Sequence, residues 1–60
     1  MNPDTIAAIE RQDREIIVAG NDMQEALQRI VACGGRVEAT ERTVRNGIWK
    51  FEIFWSKPEL

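Results

Sequence analysis

Few residues in this chain are of a type that does chemistry. There is one cysteine, Cys33, and no histidine and no tyrosine. Acid–base catalysis near neutral pH draws on His or on a carboxylate tuned inside a pocket, and a core this small offers no easy room for a ligand-sized pocket. Cys33 falls at the C-terminal end of a predicted helix, where the dipole disfavours a thiolate, and reads as a small core residue. A standard zinc site lacks its ligands. Gly20, Gly34 and Gly35 form neither a dinucleotide-binding nor a P-loop pattern. The expectation is a protein that is not an enzyme and has no cofactor and no metal. The residues left to act are two tryptophans, two phenylalanines and a set of cations: Arg36, Arg42, Arg45, Lys50 and Lys57. Aromatics and cations of this kind can stack on bases, meet phosphate or contact a protein surface.

These residues are positioned by one stretch, Arg36–Ser56, which reads as a β-hairpin. Its second arm, Ile48–Trp55, holds every aromatic residue of the chain. Asn46-Gly47 between two β-branched runs is a strong hairpin signal. Two registers compete. A two-residue loop at Asn46-Gly47 pairs Val44 with Trp49, Arg42 with Phe51 and Glu38 with Trp55. It also sets Glu41 opposite Glu52, an unfavourable like-charge pair. A three-residue loop, Arg45-Asn46-Gly47, pairs Val44 with Ile48 and avoids that clash, with Gly47 in the left-handed position.

The three-residue loop is the expected one. Val37, Ala39, Glu41 and Thr43 then lie beside Trp55, Ile53, Phe51 and Trp49 on the core face. Glu41 sits near the hairpin end and reaches water, and both tryptophans pack under a helix. The opposite face carries Val44 with Ile48, Arg42 with Lys50, Thr40 with Glu52 and Glu38 with Phe54. Its mixed character makes Arg42, Val44, Arg45, Ile48, Lys50 and Phe54 the candidate partner-binding residues.

A chain of 60 residues reads as one small domain, residues 1–60. It buries only about 60% of its unfolded surface on folding, and oligomerisation or docking is a common remedy. A homodimer is therefore expected. The net charge of −2 and pI near 5.0 argue against a general nucleic-acid or membrane-surface binder. The charge is uneven: residues 1–35 sum to −3, residues 36–57 to +2. The N-terminus lacks the pattern of a signal peptide. No segment has the ~20 apolar residues of a membrane span. With one thiol, these features give a cytoplasmic expectation.

Along the chain, Asn2-Pro3-Asp4 carries helix-start signals and predicts a short helix through Arg11; a strand over Thr5–Arg11 is the rival reading. Glu15–Ala19 is a β-branched strand, apolar on both faces. Asp22, with Glu25 three residues on, forms a capping-box pattern for a helix. The apolar stripe of that helix is Met23, Ala26, Leu27, Ile30, Val31 and Cys33. Gly34 is its left-handed C-cap residue. Ser56–Leu60 is a polar tail. The fold class is α+β: a small antiparallel or mixed sheet with a helix on one face, order α(or β)-β-α-β-β. A right-handed crossover would set Glu15–Ala19 parallel to one hairpin arm.

The run EIIVAGNDMQEALQRIVACGG, then RVEATERTVRNGIW, resembles the architecture of small phage-encoded inhibitors, including anti-CRISPR proteins. The likeness spans residues 15–55. It implies a compact α+β protein that blocks a host defence complex by occupying its surface. Those inhibitors share no functional residues, so none is carried over. A non-catalytic protein-binding module with a host protein or complex as partner is the expected function. Nucleic-acid binding through Arg42, Arg45, Lys50 and Phe54, and a dimeric structural or regulatory subunit, are the alternatives.

Overall fold

The computed structural model describes residues 1–58. The elements run α1 (Pro3–Glu10), β1 (Glu15–Ala19), a 3-10 turn (Gly20–Asp22), α2 (Met23–Ala32), β2 (Arg36–Arg45) and β3 (Ile48–Ser56). This is the α+β class and the order expected, with residues 3–10 helical. Asn2 caps α1: its Oδ1 accepts from the Asp4 amide at 2.8 Å, and Pro3 fills a first-turn position that has no amide to satisfy. Gln12 takes the left-handed conformation (φ 62°), and Asp13 N–H donates to Ala8 O at 3.0 Å. That turn closes α1 and aims the chain into β1.

The start of α2 departs from expectation. Asp22 belongs to a 3-10 turn with helical φ and ψ, and its side chain caps nothing. The capping box therefore does not form; the 3-10 turn leads into the helix instead. The C-terminus behaves as expected. Gly34 has φ +89°, Gly35 N–H donates to Ile30 O at 2.8 Å and Gly34 N–H to Val31 O at 3.0 Å. These are the two bonds of a Schellman end.

The sheet order is β1-β3-β2, antiparallel throughout. β3 is central. β1 runs in the same sense as β2 but lies on the far side of β3, so the α2 connection skips a strand. β1 pairs Ile16 with Ile53 and Val18 with Phe51. The buried core is Ile9 from α1, Ile16 and Val18 from β1, Ala26 and Ile30 from α2, and Ile53 and Trp55 from β3, with Met23, Leu27, Val37 and Phe51 packed around it. Both helices thus lie on one face of the sheet. Among the described residues, no helix covers the other face.

Trp55 sits at the centre of this core. Its indole is 2% exposed, although Nε1–H has no hydrogen-bond partner among the described residues. An orphaned buried donor costs about 1–3 kcal/mol; burial of the ring outweighs it. The indole lies so close to the backbone at Gly35 that a Cβ there would fall 2.6 Å from its Cε3 and 2.8 Å from Ile30 Cγ2. Both neighbours are fully buried and have no room to retreat.

Two members of the expected apolar stripe lie outside the core. Val31 is 65% exposed and Cys33 is exposed, its Sγ–H donating to Ile30 O at 3.1 Å. The stripe is narrower than predicted because a three-stranded sheet is covered by two helices, and the second takes only the Met23, Ala26, Leu27 and Ile30 line of α2. The end of the polar tail, residues 59 and 60, lies outside the described residues.

Two substitutions test this packing. Gly35→Ala should destabilise the protein by about 1–3 kcal/mol through overpacking, and Trp55→Ala by about 3–5 kcal/mol. Urea denaturation of each variant measures both.

Candidate protein-contact surface

The hairpin turn decides which side chains share a face. Asn46 and Gly47 both have positive φ, 53° and 75°. That is the signature of a two-residue type I′ turn, whose twist matches that of the flanking strands. Arg45 pairs with Ile48, Val44 with Trp49, Thr43 with Lys50, Arg42 with Phe51 and Glu41 with Glu52. The expected three-residue loop, which paired Val44 with Ile48 and Arg42 with Lys50, is thereby overturned. The like-charge pair in this register costs little. Glu41 is exposed and Glu52 only half-buried, and a cross-strand pair in contact with water is worth roughly 0.2–1 kcal/mol. The intrinsic fit of Asn-Gly to the turn prevails.

A bulge between Val37 and Ala39 then changes the register. Beyond it Val37 lies opposite Trp55 and Arg36 opposite Ser56. At the base of the hairpin these are the partners that the three-residue loop predicted. The extra residue, Glu38, lets the base present Val37 to the core while the tip keeps its turn.

The six candidate residues therefore fall on two faces. Val44 and Arg42 share the face of Trp49 and Phe51. Arg45, Ile48, Lys50 and Phe54 share the uncovered face with Glu41, Glu52 and Ala39. Glu41 points away from Trp49 and Phe51, contrary to expectation, and reaches water as expected.

Trp49 does not pack in the core as expected. It lies on the helix-facing side of β3, as the alternation predicts, yet it is 67% exposed. The reason is length. β2 has 10 residues and β3 has 9, so the hairpin extends about 30 Å. The 10-residue α2 spans about 15 Å, and β1 ends at Ala19, opposite Lys50. Beyond that point the hairpin is a bare two-stranded arm. The molecule measures 40 × 21 × 17 Å. Strand lengths set against helix length were the available signal for this arm.

The arm is apolar and basic. Val44 is 48% exposed and Ile48 60%. The Arg42 guanidinium lies 5.8 Å from the centroid of the Trp49 ring, a cation–π contact of about 0.5–1 kcal/mol when exposed. Arg45 Nη1 donates to Thr43 Oγ1 at 2.6 Å and to Val44 O at 3.2 Å. No acidic residue occurs between Arg42 and Phe51.

A shallow cleft of about 310 Å³ lies between the ends of the two helices, lined by Ile6, Ile9, Arg29, Cys33 and Lys57 among others. Sequence reasoning expected no such space. It is at the lower limit of ligand-site volumes, and Arg29 within it is already paired with Glu25 at 3.1 Å. Among the described residues, no group of three or more His, Cys, Asp or Glu could hold a metal. Among the described residues, no helix is long and apolar enough to cross a membrane.

Comparison with protein-family models, with curated proteins and with solved structures found no match.

The two tryptophans should be separable in solution. Trp49→Ala should cost at most about 1 kcal/mol. It should also remove the red-shifted, iodide-quenchable part of the fluorescence, leaving the blue, protected emission of Trp55. Equal quenching of both rings in the unaltered protein would contradict this placement.

Proposed function

We propose that this protein is a non-catalytic protein-binding module that docks through the end of its β2–β3 arm. The observation that carries this reading is the exposure of Trp49 and Val44 together on one face of an arm that extends beyond the core. Large exposed apolar side chains cost solubility and are retained where something covers them. Trp and Arg at the centre of a contact are also the residue types that dominate binding energy. Arg42, stacked on Trp49, and Arg45 supply cations at the rim. An inhibitor that occupies the surface of a host defence complex is the role that the resemblance to small phage-encoded proteins supplies for such a module.

One observation favours a second reading. An exposed tryptophan beside Arg42, in a stretch with Arg45 and Lys50 and no acid, is also a platform on which a nucleic-acid base can stack. The overall charge of −2 weighs against it, because phosphate binding draws on a basic excess.

The test is affinity capture from host lysate, with nuclease treatment, using the unaltered protein and Trp49→Ala. The proposal predicts a stoichiometric protein partner that survives nuclease and is reduced at least tenfold by Trp49→Ala. Recovery of nucleic acid alone, or of partners lost on nuclease treatment, supports the second reading. A partner retained equally by Trp49→Ala would remove the arm from the contact.

A further inference from the structure

The uncovered face of the sheet carries a pattern that complements itself. Along β3 this face reads Ile48, Lys50, Glu52, Phe54: apolar, base, acid, apolar. Read in reverse and laid against itself, the row sets apolar on apolar and base on acid. The neighbouring strands extend the rows. Ile17 and Glu41 flank Glu52, while Ala19 and Thr43 flank Lys50. Acids gather at the base of the face (Glu15, Glu41, Glu52) and cations towards the tip (Lys50, Arg45).

Two further observations point the same way. Among the described residues, none of these five charged side chains makes an ion pair; the ion pairs present are Arg11–Asp13 and Arg29–Glu25, elsewhere. In addition, Glu41 and Glu52 stand directly opposite one another, an arrangement that a cation placed above them would relieve.

We propose that two copies of this chain pack through this face. The two-fold axis lies between the sheets and perpendicular to the strands, with its centre between Lys50 and Glu52. Each β3 then crosses over the partner's β3 in the opposite direction. Glu52 meets the partner's Lys50 and Lys50 meets the partner's Glu52. Phe54 packs on the partner's Ile48, and Ile17 on the partner's Ala19. The contact is isologous, so every pairing occurs twice. Two sheets pack this way at about 10 Å. Because the face is small and partly polar, the expected affinity is on the order of micromolar rather than nanomolar. Trp49, Val44 and Arg42 lie on the opposite side of the arm, so the dimer leaves them free. This inference does not depend on the proposed docking role.

The experiment is sedimentation equilibrium under reducing conditions, which excludes a disulfide through the exposed Cys33. The unaltered protein should be in a concentration-dependent monomer–dimer equilibrium. Glu52→Lys and Lys50→Glu should each weaken self-association at least about a hundredfold, because each sets like charges face to face twice. An equimolar mixture of the two variants should restore a dimer, since Lys at 52 then meets Glu at 50 and Lys at 50 meets Glu at 52. Circular dichroism establishes that each variant is folded. Ile48→Asp, at a position 60% exposed and remote from the core, is the second disruption and should also give a folded monomer. An unaltered protein that stays monomeric at about 1 mM overturns the proposal. So do single variants that still dimerise, or a mixture that remains monomeric.

Discussion

The rest of this structure depends on the turn at Asn46-Gly47. Two consecutive residues with positive φ cost little only for Asn and Gly, and they close a two-residue hairpin in one register. That register decides the side of the sheet on which each β2 residue lies. It places Val44 and Arg42 with Trp49, and Glu41 with Glu52. The tip therefore carries an apolar and basic face on one side and a graded charge pattern on the other. A one-residue slip would exchange the two sets.

The base of the hairpin answers to a different constraint. Trp55, wedged against Gly35 and Ile30, requires an apolar partner on its own face, and Val37 supplies it. With the tip register extended unbroken, Glu38 would lie opposite Trp55 instead. The bulge at Glu38 absorbs the conflict between turn and core with one extra residue. It also interrupts the exposed edge of β2, a feature that discourages open-ended strand pairing. Sheet pairing, core packing and the solvent-facing pattern are thus linked through a single irregularity.

Much of the fold was legible because its signals are local. Asn2-Pro3, the β-branched run Ile16–Val18, the α2 stripe and Gly34-Gly35 each specify an element within a few residues. The register was not legible in the same way. It required weighing the Asn-Gly turn against a Glu–Glu pair, and the burial that sets the strength of that pair is a tertiary property. The bulge left no local signal, since Glu38 is an ordinary strand residue. Trp49 was assigned correctly to its face and incorrectly to the core. Alternation tells which side a residue faces, but only the length of α2 and the end of β1 tell whether anything stands there. Cys33 and Val31 lie outside the core for a different reason: only the Met23, Ala26, Leu27 and Ile30 line of α2 meets the sheet. Of the six candidate contact residues, Arg45, Ile48, Lys50 and Phe54 do share a face, and Arg42 and Val44 belong with Trp49 on the other.

The most direct measurement is the pattern of cross-strand nuclear Overhauser contacts between Hα protons in the hairpin. Contacts between Val44 and Trp49 and between Arg42 and Phe51, with Val37 facing Trp55 below the bulge, are the result required by this account. Contacts joining Thr43 to Trp49 and Glu41 to Phe51 would contradict it. They would send Val44 and Arg42 back to the face of Ile48 and Lys50 and remove the basis for the exposed arm and for the two-faced surface built on it.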